Sequence, residues 1–341
     1  MIVIMQANAT KEQVSVVENT LQDWGYEIHP IYGVERTVIA AVGAPDADRE
    51  RAAQQLESLP AVERTVLVLK PYRFASKEFK PAKSKIMMGD VEIGGGNFVV
   101  MAGPCTVESE EQLMETARAV KAAGATALRG GAYKPSTSPY SFHGMGEDGL
   151  KILAEARAVT GLPIVTEVMH VRNVDQVCEY ADMLQIGTRN MQNYELLVEV
   201  GKANKPVMLK RGMSARIEEW LQAAEYIMKQ GNENVVLCER GIRTFENYTR
   251  NTLDLSAVLA IRELSHLPVI VDPSHGTGRS SMITAMSRAS VAIGADGLIV
   301  EVHPNPEKAL KDGAQSITLD GFQNLMDELR KIAGACGNPL A

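Results

Sequence analysis

Eight short apolar runs in the larger, C-terminal part of this chain each end on side chains that can do chemistry. In order they deliver Cys105, Arg129 with Lys134, Glu167, Arg189, Lys210 with Arg211, Glu239 with Arg240, His275, and Glu301. A charged group ending an apolar run points into crowded, partly desolvated space, where it needs a partner or a ligand. These groups sort into two chemical sets. Cys105, His275, Glu301 and, just past the last run, Asp312 combine a thiol, an imidazole and two carboxylates. That mixed S, N and O set suits one divalent transition metal such as Mn, Fe, Co or Zn. Gly103-Pro104 before Cys105 and Thr106 after it mark a rigid turn, which favours a ligand over a packing thiol. His275 lies in an Asp-Pro-Ser-His turn and is read as a ligand too. The second set is cationic: Arg129, Lys134, Arg189, Lys210 and Arg240. Gathered at one site without an anion they would repel one another, so they imply a small polyanion gripped by guanidinium forks and lysine point charges. Lys134 or Lys210 as a Schiff-base nucleophile is the competing chemistry, disfavoured by the metal set beside it.

The elements that must position these groups follow from periodicity. From residue 98 the β-rich runs FVVMAGPC, ATALRGG, LPIVTEVM, DMLQIGT, KPVMLKR, NVVLCERG, LPVIVDPSH and DGLIVEV alternate with amphipathic helical stretches such as EEQLMETARAVKAAG and RIEEWLQAAEYIMKQG. Near-continuous apolar strands alternating with helices predict an α/β protein with a closed parallel (β/α)8 TIM barrel over 98–335 and a short tail over 336–341. In that architecture the strand C-termini build the active site, and those ends carry the reactive residues here. A doubly wound open sheet is the alternative; it would show a Gly-rich dinucleotide loop after the first strand, where this chain reads AGPCTVES. Residues 1–70 read as strand, helix, strand, strand, helix, strand, a small ferredoxin-like βαββαβ domain with a hairpin around Gly33. That segment holds no nucleophile, metal cluster or phosphate loop, so a binding or assembly role is expected of it. Residues 71–97 read as a Pro-bracketed basic linker followed by a β-hairpin turning at Gly89-Asp90.

Composition narrows the function classes. With 341 residues the chain suits one barrel of about 250 residues plus a small partner. A net charge of −7 and a pI near 5.5 argue against nucleic-acid or anionic-membrane binding and leave room for a local basic pocket. No apolar run approaches the roughly 18 residues of a membrane span, and the N-terminus lacks a basic start and cleavage signal, so a cytoplasmic protein is expected. The four cysteines have no paired spacing. Cys178 and Cys238 read as packing thiols, Cys336 as part of a loose tail, and His29 and His266 as surface or packing residues. His143 and His303 fall in loops on the active face.

The blocks AGPCTVES (102–109), LRGGAYKPSTSPYSFHG (128–144), IGTRNMQN (186–193), LKRGMS (209–214), CERGIRTFE (238–246), DPSHGTGR (272–279) and VEVHPNPEKALKDGAQS (300–316) occur in one order along the chain. On these motifs the chain resembles 3-deoxy-D-arabino-heptulosonate 7-phosphate (DAHP) synthases, in the subgroup with a ferredoxin-like N-terminal domain. The resemblance implies an aldehyde-condensing transferase that joins phosphoenolpyruvate to erythrose 4-phosphate at the first step of the shikimate pathway. It implies Cys105, His275, Glu301 and Asp312 as ligands of one divalent metal, and Arg129, Lys134, Arg189, Lys210 and Arg240 as the phosphoenolpyruvate clamp. It places Pro135, Ser136, Thr137 and Asp272 among the substrate contacts, with Lys134, Cys105, His275 and Glu167 as catalytic groups; Glu167, Lys134 and Asp312 are the candidates for the water protons. It further implies feedback by tyrosine or phenylalanine through the small domain, which in this subgroup pairs across subunits of a homotetramer, and a separate chorismate mutase as a conceivable docking partner. The alternatives are the sister condensation with arabinose 5-phosphate, giving 3-deoxy-D-manno-octulosonate 8-phosphate, and a non-catalytic sensor of a phosphorylated metabolite.

One departure matters. The family pattern Lys-Pro-Arg-Thr, whose arginine grips the aldose phosphate, reads Lys134-Pro135-Ser136-Thr137 here. Losing one charged hydrogen bond costs about 1.5–3 kcal/mol, roughly tenfold to a hundredfold in affinity. A raised Michaelis constant for erythrose 4-phosphate, or a changed aldose preference, is therefore expected. Ser136→Arg should lower that constant in substrate-varied kinetics; an unchanged value would rule the expectation out.

Overall fold

Alternation of Val3 and Met5 with Ile2 and Ile4 gives the first strand one fully buried face. The helix after it starts at a capping box, in which Thr10 Oγ1 accepts from the Gln13 amide (3.3 Å) and Gln13 Oε1 accepts from the Thr10 amide (2.9 Å). In the structure, a computed structural model, all residues are described except 34, 43–48, 68–70, 136–139 and 338. Two compact units result, Met1–Pro71 and Tyr72–Ala341. The first contains β1 (Ile2–Met5), α1 (Lys11–Asp23), β2 (Glu27–Tyr32), β3 (Thr37–Val42), α2 (Arg49–Glu57) and β4 (Val62–Val66). Its antiparallel sheet runs β2-β3-β1-β4, the ferredoxin-like order that the sequence predicts. Val3, Met5, Ile39, Val14, Val17, Leu21 and Leu56 form its core. The start expected for α2 before Arg49 and the end expected for β4 after Leu67 lie outside the described residues.

The second unit opens with the hairpin β5 (Ile86–Met88) and β6 (Val91–Ile93), which turns at Gly89-Asp90. A closed parallel barrel follows: β7 (Val99–Gly103), α3 (Glu110–Ala123), β8 (Ala127–Arg129), α4 (Glu147–Thr160), β9 (Ile164–Glu167), α5 (Val174–Tyr180), β10 (Met183–Ile186), α6 (Tyr194–Lys202), β11 (Val207–Lys210), α7 (Ile217–Met228), β12 (Val235–Glu239), α8 (Ser256–Leu264), β13 (Val269–Val271), α9 (Pro273–Thr277), α10 (Ser280–Ala292), β14 (Gly297–Glu301) and α11 (Leu319–Cys336). Closure is made by β14 on β7, in register from Gly297↔Val99 to Glu301↔Gly103. The doubly wound alternative is thereby excluded.

Period-2 alternation divides the strand residues between two cores. Side chains such as Val100, Leu128, Ile164, Leu184, Leu209, Leu237 and Val271 pack outward against the helices. Val99, Met101, Ala127, Val165, Met183, Met208, Val236, Cys238, Ile270 and Ile299 fill the barrel interior, together with Ile86, Met88 and Ile93 of the hairpin. Two residues beyond the inward Ala127, Val165, Met183, Met208, Ile270 and Ile299 come Arg129, Glu167, Gln185, Lys210, Asp272 and Glu301. The barrel axis is thus apolar below and charged in its uppermost layer.

One reading of the chain's end is corrected, and the packing alternative for His266 holds. Cys336 is not part of a loose tail but ends α11, and Leu340 bridges Phe98, whose amide donates to Pro339 O (2.8 Å). His266 is buried, its ring between Ser84 Oγ (2.8 Å) and Phe74 O (2.6 Å), so it fastens the 73–84 segment to the barrel. Glu225 assists by accepting the amides of Arg73, Phe74 and Ala75 at 2.9, 2.8 and 2.9 Å. His29 is exposed on β2, Cys178 is half-buried on α5, and Cys238 is buried inside the barrel.

Candidate active site

Above the charged layer lies a cavity of about 270 Å³. Of the residues singled out from the sequence, Lys134, Pro135, Glu167, Arg189, Lys210, Arg240, His275 and Asp312 line it. Cys105, Arg129, Asp272 and Glu301 are buried beneath it, and Ser136 and Thr137 lie outside the described residues. Asp272 reaches the site through its neighbours: its Oδ2 accepts from Lys210 Nζ (2.5 Å) and faces His275 Nδ1 (2.8 Å), while Oδ1 accepts the His275 amide (2.9 Å).

Three of the four metal-type donors converge. Ligand atoms of Cys105, Glu301 and Asp312 all lie within 4.8 Å of one another. Cys105 Sγ is 3.2 Å from Asp312 Oδ2. His275 stands outside that mutual cluster but adjoins it, with Nε2 3.4 Å from Glu301 Oε1. Burial brings the His275 pKa down to about 4 against the opposing charge of Asp272, so the ring is neutral near pH 7. With Nδ1–H donated to Asp272, Nε2 presents a lone pair to a carboxylate oxygen. Two facing acceptors call for a cation between them, and a carboxylate-oriented imidazole is a common setting for a metal ligand. Burial and then Glu301 push the Cys105 thiol pKa up, so a metal would have to displace its proton. The donor set therefore fits a divalent cation. Asp312 adopts a left-handed backbone (φ 52°), one of two non-glycine residues to do so among those described. Such strained positions cluster at functional sites.

The cations are packed against these acids. Arg129 Nη1 donates to Pro104 O (2.8 Å) and Glu301 Oε1 (3.0 Å), while its Nε is buried without a partner. Lys134 Nζ is 4.0 Å from Asp312 Oδ2. Burial opposes the charge on Lys134, but the acidic groups around it, Glu301 among them, raise its pKa, so it stays cationic. Burial would raise Glu301 as well, yet His275, Arg129 and Lys134 hold it down at about 2. Glu167 behaves differently: burial lifts it above the usual carboxylate range despite Lys134, Lys210, Arg129 and Arg189 around it. Its Oε2 accepts from Gln185 Nε2 (3.2 Å), and Gly187 leaves room for it, since a Cβ there would sit 2.0 Å from Glu167 Oε1 and displace the carboxylate.

Residues 73–334 match the DAHP synthetase I family, and residues 1–70 match the DAHP synthase ferredoxin-like domain. The chain belongs to the DAHP synthetase I family. It is 51% identical over 337 residues to a phospho-2-dehydro-3-deoxyheptonate aldolase of Thermotoga maritima, covering 99% of both chains. The crystal structure of the Thermotoga maritima DAHP synthase superposes with a TM-score of 0.92 at 49% identity, covering 100% of this chain and 98% of that one. A 2-dehydro-3-deoxyphosphooctonate aldolase of Syntrophotalea carbinolica is 35% identical over 266 residues, which are 72% of this chain and 95% of that protein.

Within this DAHP synthetase fold, two strand-end residues turn away from the cavity. Arg211 and Glu239 pair with each other (2.9 Å), and Arg211 also donates to Asp254 Oδ2 (2.9 Å) and Ala215 O (3.0 Å). Odd and even strand positions face opposite sides, so Lys210 and Arg240 enter the site while their neighbours brace the wall. His303 faces Glu108 (3.3 Å), and His143 is exposed, its carbonyl accepting the Lys134 amide (2.9 Å). Among the lining residues that the sequence did not single out are Arg243, Arg250, Asn251 and Lys311. They lie on loops beyond the strand ends, where periodicity carries no signal. Their spacing past Arg240 and before Asp312 was the available hint. Glu239 also accepts the Gly241 amide (2.6 Å), fixing the turn behind Arg240. Glu239→Ala strips Arg211 of one buried partner and should destabilise the barrel by about 3 kcal/mol in urea unfolding.

Proposed function

We propose that this chain condenses phosphoenolpyruvate with erythrose 4-phosphate, giving DAHP and inorganic phosphate at the first step of the shikimate pathway. The observation that carries this reading is the juxtaposition, at one barrel mouth, of buried cations with the convergent Cys105, Glu301 and Asp312 donors. The high identity to the Thermotoga maritima aldolase over nearly the whole chain supports the same reaction and aldose.

Arg129, Lys134, Arg189, Lys210 and Arg240 would hold the phosphate and carboxylate of phosphoenolpyruvate; the partnerless Arg129 Nε is a donor suited to such an anion. A divalent metal held by Cys105, His275, Glu301 and Asp312 would supply Lewis-acid polarisation of the aldehyde oxygen. The clamp orients C3 of the enol phosphate for attack on the aldehyde carbon, replacing a bimolecular encounter with a fixed geometry. Water adds at C2, and the C2–O bond to phosphate then breaks, leaving the keto acid. Glu167, its pKa raised by burial, is suited to accept the water proton, and cationic Lys134 to donate toward the leaving phosphate. Phosphate release measured with erythrose 4-phosphate and arabinose 5-phosphate side by side tests the proposal. Turnover should favour the four-carbon sugar and disappear with a chelator, returning when Mn, Fe, Co or Zn is added. Preference for the five-carbon sugar, or turnover indifferent to chelation, would overturn it.

The Met1–Pro71 unit is proposed to carry feedback by tyrosine or phenylalanine through pairing across a homotetramer. Its described residues hold no cluster of metal-type donors, and Ile31, Tyr32, Val42 and Val66 are exposed on its sheet strands, apolar surface suited to a second copy. An effector favouring one pairing would change activity by shifting populations. Deleting residues 1–71 should abolish inhibition by either amino acid while phosphate release persists; inhibition that survives the deletion would sink the assignment.

A further inference from the structure

The proposed reaction brings together two phosphate monoesters, and the 134–137 segment, Lys-Pro-Ser-Thr, contributes a single cation to them. The cavity rim supplies more. Arg250 is seated there by backbone contacts on both sides. Ile242 and Thr252 exchange amide hydrogen bonds (both 2.9 Å), closing the loop between them. The Arg250 amide then donates to Thr277 O (2.9 Å) and that of Asn251 to Gly276 O (3.1 Å), which lays the loop along the His275 turn. Gly278, with φ +69°, leaves the space: a Cβ there would fall 2.4 Å from Arg250 Cβ.

The guanidinium is aimed as well as seated. Arg250 Nη1 donates to Gln315 Oε1 (2.6 Å) and Asp312 Oδ1 (3.2 Å). The other oxygen of Asp312 faces Cys105 Sγ at 3.2 Å. One carboxylate therefore has the metal-type donors on one edge and Arg250 on the other. Lys311, the residue before Asp312, lines the same cavity. Arg240 and Arg250 also act on each other: burial depresses the Arg240 guanidinium, Asp272 opposes the fall, and the charge of Arg250 deepens it. An anion between them would relieve that repulsion.

We propose that Arg250, assisted by Lys311, anchors the phosphate of the aldose substrate and so sets the preference for a phosphorylated aldehyde. The inference rests on the condensation reading above. An aldehyde presented to the Cys105 side of Asp312 would extend its chain past that carboxylate, toward the rim where these two cations stand. Guanidinium matches a phosphate's paired oxygens, and the lysine adds charge beside it.

The test uses the full-length, metal-loaded enzyme and the variants Arg250→Met, Arg250→Lys and Lys311→Met. Arg250→Met should raise the Michaelis constant for erythrose 4-phosphate roughly tenfold to a hundredfold, with Arg250→Lys and Lys311→Met raising it less. The constant for phosphoenolpyruvate, and metal affinity in competition with a chromophoric chelator, should stay at wild-type values. The ratio of turnover efficiency on erythrose 4-phosphate to that on unphosphorylated erythrose should fall in step. If Arg250 only braces Asp312, the variant weakens metal binding and lowers both aldose efficiencies together, leaving the ratio unchanged; that outcome overturns the proposal. If the wild-type enzyme fails to condense erythrose 4-phosphate, the reaction reading fails instead. The anchor is then judged by calorimetric titration with glycerol 3-phosphate: weaker binding to Arg250→Met sustains it, and equal binding overturns it.

Discussion

The Asp272 carboxylate, sealed from solvent between Lys210 and His275, is the contact on which the barrel mouth depends. An isolated charge at that depth would be costly, and Asp272 offsets the cost three times over. It neutralises Lys210, fixes which imidazole nitrogen of His275 faces the donor cluster, and caps the first turn of α9 through the His275 amide. The effect of this concentrated charge on Asp272 itself is large: burial would raise its pKa, but His275 and Lys210 hold it far below the usual carboxylate range.

The remaining charges follow the same rule of mutual compensation. Arg129 answers Glu301, and Lys134 answers Asp312 at longer range. Glu167 differs from Asp272, Glu301 and Asp312 in that burial moves its pKa upward despite the cations around it. A site that keeps some carboxylates ionised and lifts another toward neutrality can separate proton handling from cation binding within one cavity.

Much of this was legible in the sequence because strand alternation and strand ends carry it. Val165 then Glu167, Met208 then Lys210, and Ile270 then Asp272 place a charge two residues above an apolar interior position, so the strand pattern and the polar layer are one signal. The same periodicity, read closely, separates Lys210 from Arg211, because adjacent residues face opposite sides of the barrel wall; grouping them as strand-end pairs hid this. Arg243 and Arg250 were illegible for another reason. Their positions are set by loop pairing, Ile242 with Thr252 and Arg250 with Thr277, and no local residue pattern encodes such long-range contacts. For His266 the sequence allowed a packing role, but not its partners Ser84 and Phe74, which lie far away in sequence.

The closing of β14 on β7 has a consequence for how the protein comes into being. Cys105 follows the first barrel strand and Glu301 ends the last, with Asp312 beyond it, so the donor cluster joins points separated by most of the barrel's length. Contacts of such large sequence separation form only after long loops have been closed, and they slow folding accordingly. As the chain leaves the ribosome, the cations at Arg129 and Lys210 are made well before the acids at Glu301 and Asp312 that balance them. The barrel mouth is an incomplete, positively charged rim until its final strand arrives, and ligation by all these donors becomes available only to a finished barrel.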